Sequence, residues 1–360
     1  MKNIVIFEYF SSNFKLDIIE NGQILKEGLN IVNNLIKCLE HCRKLNIFVF
    51  RSINLTFNSL KNVNFLETNE DKDWKYYLKK FDSKETELIL IAPEKSKVNQ
   101  RIFVEIKKMN FTILCSSLDV IKIFSSKFET FKKLKQLKIP CIRTTRNISD
   151  LKCMNSKIVT KPDKGAGSEN IQLISQKERY INKIPTKSQV FQPFIEGIAG
   201  SVTILCANGK GTILSLNKHI VKQDGKFLKQ VGSIVGGLEY YKEELISLSQ
   251  NICSKFPGLF GFIGIDVIND KRNWKIIEIN PRFGGGSIFS MLAGINFIDY
   301  IISDQHVIPF NKRKYYTEKK IYLPNTYMPT DNTRELSKKS VSRSNMGLPE
   351  KAFVFCCFNT

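Results

Sequence analysis

Asp266, Glu278 and Asn280 are oxygen-bearing side chains set in a stretch that otherwise reads as buried sheet, "GFIGIDVINDKRNWKIIEINPR" (Gly261–Arg282). Its alternating pattern around a turn-rich "NDKRN" segment (269–273) predicts a β-hairpin. With that loop, Ile268 faces Trp274 and Asp266 faces Ile276. Asp266, Glu278 and Asn280 then share one face, with Asp266 diagonal to Glu278 and their backbones about 7–8 Å apart. A carboxylate among isoleucines is costly unless something neutralises it. Two carboxylates and an amide oxygen are hard donors, suited to Mg2+ that also takes phosphate oxygens. Arg282 follows at once, in position for bidentate contact with a phosphate or acyl phosphate. Gly284, Gly285 and Gly286 let backbone amides approach an anion.

A second group lies upstream in "VTKPDKGAGSENI" (Val159–Ile171). Lys161 closes an apolar strand, and Gly165, Gly167 and Ser168 form a turn able to fold over a triphosphate. A plain exposed turn is the competing reading of such a loop. "VFQPFIEG" (Val190–Gly197) is an apolar segment whose backbone can bracket a planar base, a role compatible with a core strand.

These groups need a scaffold. "KNIVIFEYF" (Lys2–Phe10), "NIFVFRS" (Asn46–Ser52), "ELILIAP" (Glu87–Pro93) and "FTILCSS" (Phe111–Ser117) read as successive strands, with "GLNIVNNLIKCLEHCRKL" (Gly28–Leu45) as a helix. Strands alternating with helices imply an α/β layer, a doubly wound parallel sheet over the first third. No G-x-G-x-x-G follows the first strand, which argues against dinucleotide binding there. "SSKFETFKKLKQLKIPCIRT" (Ser125–Thr144) is a lysine-rich helix, and short strands with Gly-rich turns follow. Asn208-Gly209 marks a hairpin.

The chain of 360 residues is long enough for two or three domains. Its formal charge of +21 calls for polyanion ligands to be considered, but the lysines are dispersed, which disfavours a nucleic-acid stripe. No apolar run is long enough to span a membrane. The nine cysteines show no paired zinc spacing; Cys38, His41 and Cys42 form the one tight cluster, on a predicted helix. Free thiols suggest a reducing cytoplasm.

The order of these pieces carries a resemblance: Lys127 before "LKQLKIPCIRT", Lys161-Pro162 with its Gly/Ser loop, "QPFIEG", "GIDVI", then "EINPR". It resembles the ATP-grasp superfamily of carboxylate–amine ligases over roughly 116–310. The resemblance implies an N-terminal doubly wound domain (1–115), an ATP-grasp fold of antiparallel sheets and helices in two subdomains (116–311), and an irregular C-terminal extension (312–360). Residue by residue, it implies that Lys127 and Lys161 contact ATP phosphates and that Gly165, Gly167 and Ser168 form a lid. Gln192, Ile195 and Glu196 would hold the nucleoside, and Asp266, Glu278 and Asn280 would bind Mg2+, with Mn2+ as a substitute. Arg282 would stabilise a phosphorylated intermediate, and Lys218, with His219 beside it, would face phosphate and substrate. The implied partners are small-molecule carboxylates and amines; a homodimer is compatible with the pattern. Two departures stand out: Ser126 replaces an acid found before the first lysine in many relatives, and "GIAGSV" lacks the acid that holds ribose. "IFEYFSS", "GIAGSV" and "LSLN" resemble the tyramine–glutamate ligase branch, which is similar to the lysine ligase of pyrrolysine synthesis.

From about Tyr315 the sequence changes character. "YLPNTYMPTDN" and "GLPEKAFVFCCFN" resemble an internal piece of the O-GlcNAc transferase catalytic region. The segment reads as a fusion or truncation remnant whose last strand has no sheet to join. The alternative function is accordingly a partial glycosyltransferase fused to an ATP-binding protein.

Overall fold

The computed structural model describes residues 2–16, 18–39, 45–55, 63–94, 97–151, 157–165, 171–174, 188–284 and 354–355. Gly167, Ser168, Gly285, Gly286, His41, Cys42 and most of 312–360 lie outside the described residues.

Apolar β-branched runs make the first layer. β1 (Lys2–Glu8), β2 (Leu45–Ser52), β3 (Val63–Thr68), β4 (Thr86–Ile91) and β5 (Thr112–Ile113) form a parallel sheet in the order β3-β2-β1-β4-β5. Its central strands read as unbroken hydrophobic runs because helices cover the sheet. α1 (Ile18–Leu39) buries Ile31, Val32, Leu35, Ile36 and Leu39, one helical stripe, against it. α2 (Trp74–Leu78) and α3 (Val98–Lys108) pack with the opposite face. The helix begins ten residues earlier than the sequence pattern suggested, and β3 was not anticipated, because "VNFLET" mixes polar and apolar residues too evenly to stand out.

α4 (Leu118–Phe124) and α5 (Lys127–Gln136) lead into a nine-stranded, mainly antiparallel sheet. Its strands are β6 (Ile158–Pro162), β7 (Gln172–Ile174), β8 (Gln189–Pro193), β9 (Ile198–Ala207), β10 (Lys210–Asp224), β11 (Phe227–Val235), β12 (Gly261–Asn269), β13 (Trp274–Asn280) and β14 (Val354–Phe355). Its order is β13-β12-β9-β10-β11-β7-β6-β8, with β14 on β11. Asn208 and Gly209 take φ of 50° and 72°, as a two-residue hairpin turn requires. α6 (Lys242–Lys255) buries Leu245, Ile252 and Cys253 in the core formed by Val202, Ile204, Leu216, Ile263, Ile265 and Ile279. On the reverse face, Leu205, Leu214, Phe262 and Phe283 join Ile4, Ile6 and Leu35 of the first layer.

The tail strand corrects an expectation. β14 does find a sheet: Phe355 and Val354 pair with Ser233 and Ile234 of β11. β11 itself escaped the sequence reading because lysine and glycine interrupt its alternation.

Candidate active site

The β12–β13 hairpin sets the carboxylates. Its register differs from the expected one. Asn269 pairs with Trp274 and Val267 with Ile276; a bulge then brings Asp266 directly opposite Glu278, and Gly264 opposite Asn280. The extra residue is Ile277, and it converts the expected diagonal pair into a facing one. Both carboxylates point to the side away from Ile265 and Ile279, which belong to the core.

Two lysines meet them. Lys127, the first residue of α5, brings its Nζ to 3.1 Å from Glu278 Oε2 and donates to the Gly165 carbonyl at 3.2 Å. Lys161, on β6 and only 5% exposed, lies in the field of Glu278, Lys127 and Asp266. Burial lowers the Lys161 ammonium to about 8, with Lys127 adding to the fall and Glu278 opposing it. Burial raises Asp266 above the usual carboxylate range, and the charge of Glu278 raises it further. Burial pushes Glu278 up as well, but Lys127 and Lys161 outweigh it and hold it low. The two facing acids thus differ: Glu278 is the one that Lys127 pairs with, and the charge of Glu278 bears on Asp266. A divalent cation fits that place: carboxylate oxygens supply the hard donors, and the cation's charge offsets the repulsion between the two acids. Asn280 donates Nδ2 to Glu278 Oε1 at 3.2 Å, which leaves its amide oxygen as the third donor. Among the described residues no three of His, Cys, Asp and Glu converge, so the set is two acids and an amide.

Arg282 lies just past β13 and is bound side-on by Glu94: Nε donates to Oε1, and Nη2 donates to Oε2 at 3.1 Å. Nη1 donates to the Phe283 carbonyl at 3.1 Å. A guanidinium has five N–H groups, so two donors remain for an anion. Glu94, 8% exposed, follows β4 of the first layer. Nothing in the local sequence marks it, because its partner is 188 residues away.

Asp163 was also missed. Its carboxylate, 1% exposed, accepts from Ser126 Oγ at 2.9 Å, Phe128 N at 2.9 Å and Arg146 Nη2 at 2.8 Å. Its carbonyl accepts from Lys127 N at 3.0 Å. Ser126 caps α5 by accepting from Glu129 N at 3.2 Å. The acid absent before Lys127 is thus supplied from the Lys161 loop, and one carboxylate ties both lysine segments together. The "KPDKG" motif contained this signal: an acid two residues after Lys161 at a strand end.

The other expected residues fall as follows. Gln192 pairs with Val159 across β8 and β6, and its Nε2 donates to Thr144 Oγ1 at 2.9 Å. Half-buried Ile195 and exposed Glu196 lie in the turn to β9. Gly165 takes φ of 149°. Gly197 must be glycine, since a Cβ there would meet the Asn269 carbonyl at 1.8 Å. Lys218 is a correction. It stands two residues along β10 from core residue Leu216 and shares its face, opposite that of Asp266; the structure does not bring it to the site. His219 lies on the site face, and burial lowers it to about 4.

Residues 124–286 match the model of the ATP-grasp domain. The tyramine–L-glutamate ligase of Methanocaldococcus jannaschii is 24% identical over 282 residues, 78% of this chain and 82% of that protein. A solved ATP-grasp superfamily protein from Archaeoglobus fulgidus superposes with a TM-score of 0.64 at 20% identity, covering 84% of this chain and 88% of that one. The L-amino acid ligase of Bacillus licheniformis gives 0.58 at 16% identity, covering 84% and 74%. A separate match, 38% over 76 residues, is to a probable UDP-N-acetylglucosamine–peptide N-acetylglucosaminyltransferase of Arabidopsis thaliana; it covers 20% of this chain and 8% of that protein.

Proposed function

With an ATP-grasp domain at residues 124–286 as its chemical centre, we propose that this chain is an ATP- and Mg2+-dependent ligase. It joins a carboxylate, that of an amino acid, to an amine through an acyl phosphate. The observation that carries this reading is the convergence of Lys127 and Lys161 on the facing pair Asp266–Glu278. Residues 1–115 serve as the preceding α/β domain and 116–311 as the ATP-grasp unit. The free thiols of Cys115, Cys141, Cys206 and Cys253 suit a reducing cytoplasm.

The chemistry follows from the side chains. Lys127 and Lys161 neutralise and align the phosphates, and the turn at Gly165 lies against Lys127 to close over them. Mg2+ held by Asp266, Glu278 and Asn280 would offset the charge that develops on the γ-phosphate. The substrate carboxylate attacks that phosphorus and ADP leaves. The two free N–H groups of Arg282 stabilise the transferring phosphoryl group. The amine then attacks the acyl carbon, phosphate departs, and the amide forms once the amine has lost a proton. No protein nucleophile is needed.

The test is an ADP-release screen of amino acids crossed with amines, starting from L-glutamate and tyramine, the pair in the relative's name. ADP release should require both partners. Equal release without either would overturn the reading. The competing reading, a glycosyltransferase fragment, rests on the 76-residue match; UDP-GlcNAc binding without ATP binding would favour it.

A further inference from the structure

His219 of β10 is partly exposed, and among the described residues neither of its ring nitrogens makes a hydrogen bond. Burial alone lowers it to about 4, so the imidazole is neutral at pH 7. A neutral imidazole offers one N–H donor and one acceptor nitrogen. Here both are open to a ligand.

The sheet register says which ligand can reach them. Asn217 pairs with Ser201, Ser201 with Asp266, and Asp266 with Glu278; this is the row of the acids. Opposed residues of an antiparallel ladder share a face, and so do residues two apart on one strand. Lys218 pairs with Gly200, and Ala199 with Ile268, so the next row on the site face holds His219, Ala199 and Ile268. All three are partly exposed, whereas Val202, Leu216, Ile265 and Val267 on the other face are core. The row is therefore an open trough beside the acids. β9 enters it directly after Ile195, Glu196 and Gly197.

The far side of the acid row is already taken. Thr203 pairs there with Gly264, and Leu205 with Phe262, which packs on the first layer; Arg282 and Glu94 lie at that end. Reactants that meet Arg282 occupy that side. A nucleotide with its terminal phosphates at the acids must extend the other way, over Ala199 and Ile268. His219 stands two strands across and two residues along from Asp266, roughly 12 Å away. The inner phosphate, the sugar and one contact of about 3 Å fill that span. Ala199 and Ile268 give the sugar an apolar floor and no polar side-chain atom. Gly200 cannot supply one, since a Cβ there would meet the Asn217 carbonyl at 2.3 Å. The polar contact of this row falls to His219.

We propose that His219 holds the ribose of ATP by hydrogen-bonding a hydroxyl, and so selects ribonucleotide over deoxyribonucleotide. This rests on the ligase reading, which puts the phosphates at the acids, and names the residue that fixes its nucleotide.

The experiment titrates the full chain calorimetrically with ATP, 2′-deoxy-ATP and 3′-deoxy-ATP in the presence of Mg2+. Two variants stand beside the wild type: His219→Phe, which keeps a ring, and His219→Gln, which keeps a donor and an acceptor. One such hydrogen bond is worth about tenfold in Kd. Wild type should therefore bind ATP about tenfold more tightly than at least one deoxy analogue. In His219→Phe, ATP should weaken to the level of that analogue, whose own Kd should change less than about threefold. His219→Gln should recover most of the preference. With L-glutamate and tyramine, the KM values for acid and amine should stay within about threefold in both variants. Equal wild-type affinity for the three nucleotides overturns the contact without recourse to any variant. A preference as large in His219→Phe as in wild type overturns it too, as does equal weakening of all three nucleotides. ATP binding without ADP release for any acid–amine pair would sink the ligase reading and leave the ribose contact; no ATP binding at all removes both.

Discussion

At the scale of single residues, the site sets two lysines, Lys127 and Lys161, against two facing acids in little water. Glu278 is its pivot: it touches Lys127, accepts from Asn280 and faces Asp266. Glu278→Gln keeps the shape but removes the charge that both lysines answer. ATP turnover should fall by more than about 100-fold, with circular dichroism unchanged; wild-type turnover would refute the assignment. His219 gives a pH test. Its ordinary value is 6.5 and burial lowers it to about 4. Between those values the unfolded chain binds the proton and the folded chain does not, so His219 costs stability as pH falls from 6.5 toward 4. His219→Asn should therefore lose less stability than wild type between pH 7 and 4.5, by about 1–2 kcal/mol after allowance for partial exposure. Denaturant midpoints at the two pH values measure it. Residue types made Asp266, Glu278, Asn280 and the lysines legible in the sequence. Lys218 and His219 could not be sorted that way, because neighbours in a strand face opposite sides and only packing says which side is the core.

At the scale of elements, the turn after β6 and the start of α5 form one unit through Asp163. Asp163→Ala removes an acceptor of bonds from Ser126, Phe128 and Arg146. The loss should be about 3 kcal/mol, since a buried ion pair is broken and donors are stranded. The KM for ATP should rise with it, because the segments that carry Lys127 and Lys161 lose their common anchor; thermal melts and ATP titration of the rate read the two effects. Asp163→Asn, which keeps acceptor capacity, should fall between. The hairpins were legible as elements: the Asn208-Gly209 turn and the Asp270–Asn273 loop lie where turn chemistry places them. The bulge at Ile277 was not, because alternation in "WKIIEIN" is equally satisfied by a regular pairing. The choice falls to the side chains that must enter the core.

At the scale of the whole molecule, the Glu94–Arg282 pair joins the parallel layer to the nine-stranded sheet, beside the apolar seam of Phe262, Phe283 and Leu205. Glu94→Gln should lower kcat about 10–100-fold through a freer guanidinium, with the KM for ATP changed less than threefold. Equal loss of both would mark a general packing defect. Deletion from Lys319 onward should leave ATP affinity unchanged, since the described residues of that segment, Val354 and Phe355, pair with Ile234 and Ser233 of β11 and not with β12 or β13; calorimetric titration with ATP decides it. The sequence by itself determined the α/β class, the order of the lysine, glycine-turn and acidic pieces, and which oxygen-bearing side chains stand in the last hairpin. Those depend on residue type and local period, which a linear string carries. Only the tertiary structure decided that Asp266 faces Glu278, that Asp163 supplies the acid missing before Lys127, and that Glu94 holds Arg282. Each is a contact between segments whose meeting depends on how two sheets pack, and no local pattern encodes that free-energy minimum.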